Sequence, residues 1–137
     1  MGQQQLLLII LGVIVVSVAV IVGIGVYQDH AVDRDRAAIL VDLKILSSKA
    51  QAYYNRPMSL GGGSRSYVGL TADARGIGLL AGQNFIDNAN GSYSIAVAGT
   101  ATQVVLRGKG KVALPDGSFP EYDLTVTLNS QSVVKVN

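Results

Sequence analysis

The chain has 137 residues, a net charge of +2, 15% charged residues, one histidine and neither cysteine nor tryptophan. The lack of cysteine excludes a disulfide framework, a thiolate nucleophile and a cysteine metal site, and so weak a charge does not call for duplex nucleic acid as a partner. Beyond an apolar N-terminal segment, the length leaves room for one small domain.

Leu6 to Val26, LLLIILGVIVVSVAVIVGIGV, is 21 residues without a charge, interrupted only by Ser17 and by Gly12, Gly23 and Gly25. At about 1.5 Å per residue it makes roughly 31 Å of helix, the thickness of a bilayer's hydrocarbon core. A helix apolar on every side needs cover from a membrane or a protein assembly. A cleaved secretory signal is the rival reading, with Gly23-Ile24-Gly25 as a small-x-small site. Against it, no Lys or Arg precedes Leu6 and the run exceeds the usual apolar region of about 7 to 15 residues. Met1-Gly2 lacks the Ser or Thr at the sixth position that myristoylation wants. The absence of basic residues before the run also leaves membrane orientation unspecified, unless a basic leader precedes Met1.

Polarity rises after Val26, yet no Pro or Gly occurs up to Asn55, so the same helix is expected to continue to about residue 54. Val32, Ile39, Leu43, Leu46, Ala50 and Tyr53 follow at helical spacings and predict one core-facing stripe. Asp29, Asp33, Arg34, Asp35 and Arg36 form a mixed-sign collar. It reads either as a solvated face, with Asp33 and Arg36 paired, or as charges that set register against neighbouring subunits. Gly23 and Gly25 are candidates for softening the helix, or for close packing at small residues. Pro57 pushes Arg56 out of the helical region and predicts the stop.

Residues 56–91 read as a loop region. Gly61-Gly62-Gly63-Ser64 lacks the Gly-Lys-Ser/Thr of a phosphate loop and is expected to be a flexible turn. Thr71 is a candidate cap for a short helix through Leu80, weakened by Gly76 and Gly78. Asn90-Gly91 is a turn signal, and Asn90-Gly91-Ser92 makes Asn90 a candidate glycosylation site.

From Ser92 the apolar period becomes two. Tyr93, Ile95 and Val97, then Val104, Leu106, Gly108, Gly110 and Val112, then Tyr122, Leu124, Val126 and Leu128, and finally Val133 to Val136 predict four strands. Pro115-Asp116-Gly117 supplies a turn between the middle pair, and short links predict an antiparallel sheet. Arg107, Lys109 and Lys111 share one strand face as a candidate cation stripe, although a hairpin centred on Gly117 sets Lys111 opposite Asp123. Three cations without interleaved aromatics favour a solvated face over specific nucleic-acid binding.

No catalytic, cofactor or metal constellation emerges. G-x-S-x-G and H-E-x-x-H are absent, His30 lies in the charged collar, and the acidic residues are scattered. The expected fold is α+β: a long N-terminal helix, apolar over 1–26 and amphipathic over 27–55, packed on a four-stranded antiparallel sheet over 92–137. Residues 27–137 make one head domain.

This order of parts resembles type IV pilins and type IV pilin-like (pseudopilin) subunits. The local likeness lies in Gly2-Gln3-Gln4-Gln5 before the apolar run, in Val26-Tyr27-Gln28-Asp29 where it ends, and in Asp42-Leu43-Lys44 through Ala52-Tyr53-Tyr54. The resemblance implies a cell-surface filament of identical subunits, held in the cytoplasmic membrane before pilus assembly machinery polymerises them. Met1, Gln5, Leu6, Leu7, Leu8, Ile9, Leu11, Ile14, Val18 and Ile21 would lie in the filament core. Three family features are missing here: the Glu at the fifth mature position, where this chain has Gln5 or Leu7 depending on cleavage, the helix-breaking Pro of the apolar half, and the C-terminal cysteine pair. The alternative reading is a bitopic membrane protein, or a secretion pseudopilin, with an external sheet domain that binds a partner.

Overall fold

The computed structural model describes residues 2–136. Helix α1 runs as one element over Gly2–Asn55, through Gly12, Gly23 and Gly25 without a break, and its end falls where Pro57 requires. The expected stripe is buried throughout: Val32, Ile39, Leu43, Leu46, Ala50 and Tyr53 all face the core. Four strands follow the loop region, β1 (Gly91–Val97), β2 (Gln103–Gly110), β3 (Glu121–Thr127) and β4 (Gln131–Lys135), and pair antiparallel in sequence order.

Alternation gives the sheet one apolar face, on which Tyr93 and Ile95, Val104 and Leu106, and Tyr122, Leu124 and Val126 pack against the α1 stripe. Closest approach occurs over β2. A Cβ on Gly108 would stand 2.6 Å from Ile39 Cγ2, and one on Gly110 only 2.1 Å from Asp35 Oδ2. Glycine at both positions lets the helix lie directly on the strand.

The alternation fails at three expected places. An irregularity between Ile95 and Val97 turns Val97 to solvent, while Val112 and Leu128 fall beyond the strand ends. Strand β4 is exposed along its whole length, since α1 and the short helix α2 (Ala74–Ala81) cover only the other strands.

The loop region is more ordered than its composition suggests. The glycine run is not an open linker: Gly63 N, Ser64 N and Arg65 N donate to the carbonyls of Tyr53, Arg56 and Tyr54, closing the end of α1. A Cβ on Gly62 would lie 2.2 Å from Arg56 O, so the turn is built on close backbone approach. The cap of α2 is Asp73 rather than Thr71. Its side chain accepts from Arg75 N at 3.0 Å, and Thr71 instead donates its hydroxyl to that carboxylate. Gly76 lets α2 settle on Ile95 of β1, whose Cδ1 would be 2.3 Å from an added Cβ.

Candidate functional site

The first half of α1 carries no cover from its own chain. Every large apolar side chain from Leu6 to Val26 is exposed, from 49% at Val26 to 71% at Ile21, and nothing lies within 4 Å of a Cβ built on Gly12, Gly23 or Gly25. The half-helix is long and apolar enough to cross a membrane. Ser17, its only polar side chain between Leu6 and Val26, donates to Val13 O at 2.7 Å and so meets its need within the helix. Of the residues assigned above to a filament core, Gln5, Leu6, Leu7, Leu8, Ile9, Leu11, Ile14, Val18 and Ile21 all lie on this uncovered rod, and Met1 lies outside the described residues.

Where the rod enters the head, the β2–β3 connection returns to meet it. Asp35, buried on α1, accepts from Lys111 N at 3.0 Å and Val112 N at 3.1 Å through one carboxylate oxygen. That anchor lays Val112, Ala113, Leu114 and Pro115 beside Tyr27, Gln28, Asp29, Ala31 and Val32, leaving a groove of about 600 Å³. An adjoining lobe of about 320 Å³ is bounded by Asp29, Val32, Asp33, Arg36, Leu114 and Pro115. The collar charges pair loosely, Arg36 with Asp33 at 3.9 Å, while Arg34 Nε donates to His30 O at 3.4 Å. Arg36 Nε itself is buried with no hydrogen-bond partner.

A second buried carboxylate, Asp42, ties α1 to the start of the sheet. Its Oδ2 accepts from Tyr93 Oη at 2.6 Å, Asn90 Nδ2 at 3.1 Å and Asn88 Nδ2 at 3.2 Å. Burial first, then this hydrogen bond and the charges of Asp42 and Asp35, push the Tyr93 phenol far above its ordinary range. The amide nitrogen of Asn90 that a glycan would modify is therefore already bonded to Asp42.

The cation stripe is not a free anion-binding face. Arg107, not Lys111, stands opposite Asp123, and the two form a bidentate pair at 2.7 and 2.9 Å. That hydrogen bond raises the Arg107 pKa further. Lys109 faces Glu121 across the ladder and lies 5.4 Å from the Phe119 ring, and Lys111 reaches Asp87 at 2.8 Å. The expected Lys111–Asp123 pairing fails because residues 111–120 leave the ladder, held by Asp35 and by their own turn, in which Leu114 N donates to Ser118 O at 2.7 Å.

Among the described residues, no group of three or more His, Asp or Glu side chains gathers as a metal site. The elements brought together are the uncovered half-helix, the collar and the Val112–Pro115 wall. Sequence reading missed the anchoring roles of Asp35 and Asp42, and that wall. Comparison with protein-family models, curated proteins and solved structures finds no match to this chain.

Proposed function

We propose that the chain is a structural subunit of an extracellular, type IV pilus-like filament, held in a cytoplasmic membrane before it polymerises through its apolar helix. The observation that carries this reading is the uncovered half-helix: an apolar rod continuous with the spine of the head, with every large side chain from Leu6 to Val26 in contact with solvent. Identical rods packed side by side would remove that surface from water, at about 25 cal/mol per Å². The role is structural rather than enzymatic. Gln5 carries no carboxylate, so if it meets a neighbour's N-terminal amine it does so by hydrogen bonding and not by charge.

Electron microscopy of material sheared from cells tests the reading. Thin fibres containing this chain are expected, and Ile14→Asp, which places a charge in the apolar rod, is expected to abolish them while the chain still accumulates. An intact chain that stays in the membrane pellet, with no fibres, favours the second reading, a bitopic protein with an external sheet domain. The hydroxyl of Ser17, bonded to Val13 O, meets the lipid-facing stage that both readings share.

A further inference from the structure

Within the head, α1 has a second face that its own chain leaves uncovered. At 3.6 residues per turn, Ala37, Val41, Ile45, Ser48 and Ala52 point away from the sheet, and all are exposed, Val41 by 57% and Ile45 by 42%. Lys44 borders this stripe on one side and Lys49 on the other, both exposed. The uncovered apolar surface of Leu6–Val26 thus continues up the back of the head.

The exposed charges of α1 are segregated along its length. Asp29 and Asp33 stand four residues apart, a like-charge spacing that disfavours an isolated helix. Neither Lys44 nor Lys49 has an acidic residue three or four positions away. Among the described residues Asp29, Lys44 and Lys49 form no ion pair, and Asp33, its side chain 71% exposed, meets Arg36 only at 3.9 Å. Arg34 donates to His30 O of its own chain. Asp29 precedes Lys44 by 15 residues and Asp33 precedes Lys49 by 16, in each case about 23 Å along the axis.

We propose that the back of α1 docks a second copy of this chain, parallel to the first and raised by about 23 Å, its Asp29 and Asp33 seated between Lys44 and Lys49 of the lower copy. The inference rests on the filament reading and deepens it. At that shift Val22 and Val26 of the raised copy stand level with Ala37 and Val41 of the lower one. Apolar burial alone sets no axial position, because the rod is apolar at every level from Leu6 to Val26. Two opposite-charge pairs that meet at one shift do set it, even though each exposed pair is weak. Copies held at equal depth in one membrane place Asp29 beside Asp29 and Lys44 beside Lys44, so the same pattern opposes pairing until one copy is raised.

The test exploits the absence of cysteine from the chain. Sheared fibres of a Val26→Cys, Val41→Cys chain are oxidised and run on a denaturing gel. The two sites lie about 22 Å apart on one helix, too far for a bond within a chain, so a ladder of covalent multimers is expected and neither single variant should cross-link. Dimers from either single variant would mean helices in register and overturn the proposal, as would fibres that give no ladder. Neutralised charges supply a second readout with no cysteine. Asp29→Asn with Asp33→Asn, and Lys44→Gln with Lys49→Gln, should each lower fibre yield about tenfold, and all four together should lower it no further. Unchanged yield, or losses that multiply to about a hundredfold, would overturn the proposal and leave the filament reading standing. Wild-type cells that shed no fibres overturn both.

Discussion

Tyr93 Oη lies 2.6 Å from Asp42 Oδ2, joining the middle of α1 to the first strand inside the core. The same oxygen holds Asn88 and Asn90, so one carboxylate fixes helix, loop and sheet together. Asp42→Ala strands three donors and is expected to cost about 3 kcal/mol, read as a lower urea midpoint for loss of the β-sheet signal in detergent.

The alkaline limit of stability follows from the same pair. The folded pKa of Tyr93 lies above its ordinary 10.0, so as pH rises the unfolded chain gives up its proton first. The contribution is therefore complete below about pH 10 and falls as pH climbs beyond it. Circular dichroism from about pH 8 to 12 should show the wild type losing stability above about pH 10. Tyr93→Phe should show a shallower fall from a lower starting stability, with Tyr67, also raised by burial, supplying part of the remaining slope.

Gly110→Ala is expected to destabilise the head by about 1 to 3 kcal/mol. The added methyl would meet Asp35 Oδ2 and Ile39 Cδ1, at 2.1 and 2.9 Å, so the helix must lift from β2 or the Asp35 anchor must yield. Faster hydrogen exchange at Lys111 N and Val112 N would mark the second outcome. Gly117→Ala is governed by backbone strain instead, since Gly117 has φ 85° and nothing within 4 Å of an added Cβ.

Arg107→Ala should cost no more than about 1 kcal/mol despite the bidentate geometry. The arginine side chain is 39% exposed, so water and salt screen the pair. A double-mutant cycle with Asp123→Ala should give a coupling energy that shrinks between low salt and about 0.5 M salt.

The extent of α1, its core stripe and the four strands were legible because each rests on a periodicity, 3.6 or 2, that burial enforces. The β2–β3 register was not. Pro115-Asp116-Gly117 marks a turn without saying how many residues leave the ladder, and that number is set by Asp35, far away in sequence, capturing Lys111 N and Val112 N. Asp35 and Asp42 themselves pass for solvated charges in a sequence, although both fall within about one turn of Ile39 on the buried stripe, and that placement was the available signal. The collar groove left no local trace, since its two walls meet only after the sheet has docked.

The continuity of α1 also has a mechanical meaning. The sheet is attached along the flank of the helix, from Val32 to Tyr53, and is not threaded between head and rod, so tension applied along α1 travels along one continuous helix and need not unzip any strand. No proline interrupts Gly2–Asn55, and the helix continues through Gly23 and Gly25. A tilt of about 10° at Val26 would swing Asn55, about 43 Å away, through roughly 8 Å. Whatever grips the apolar half thus aims the whole head.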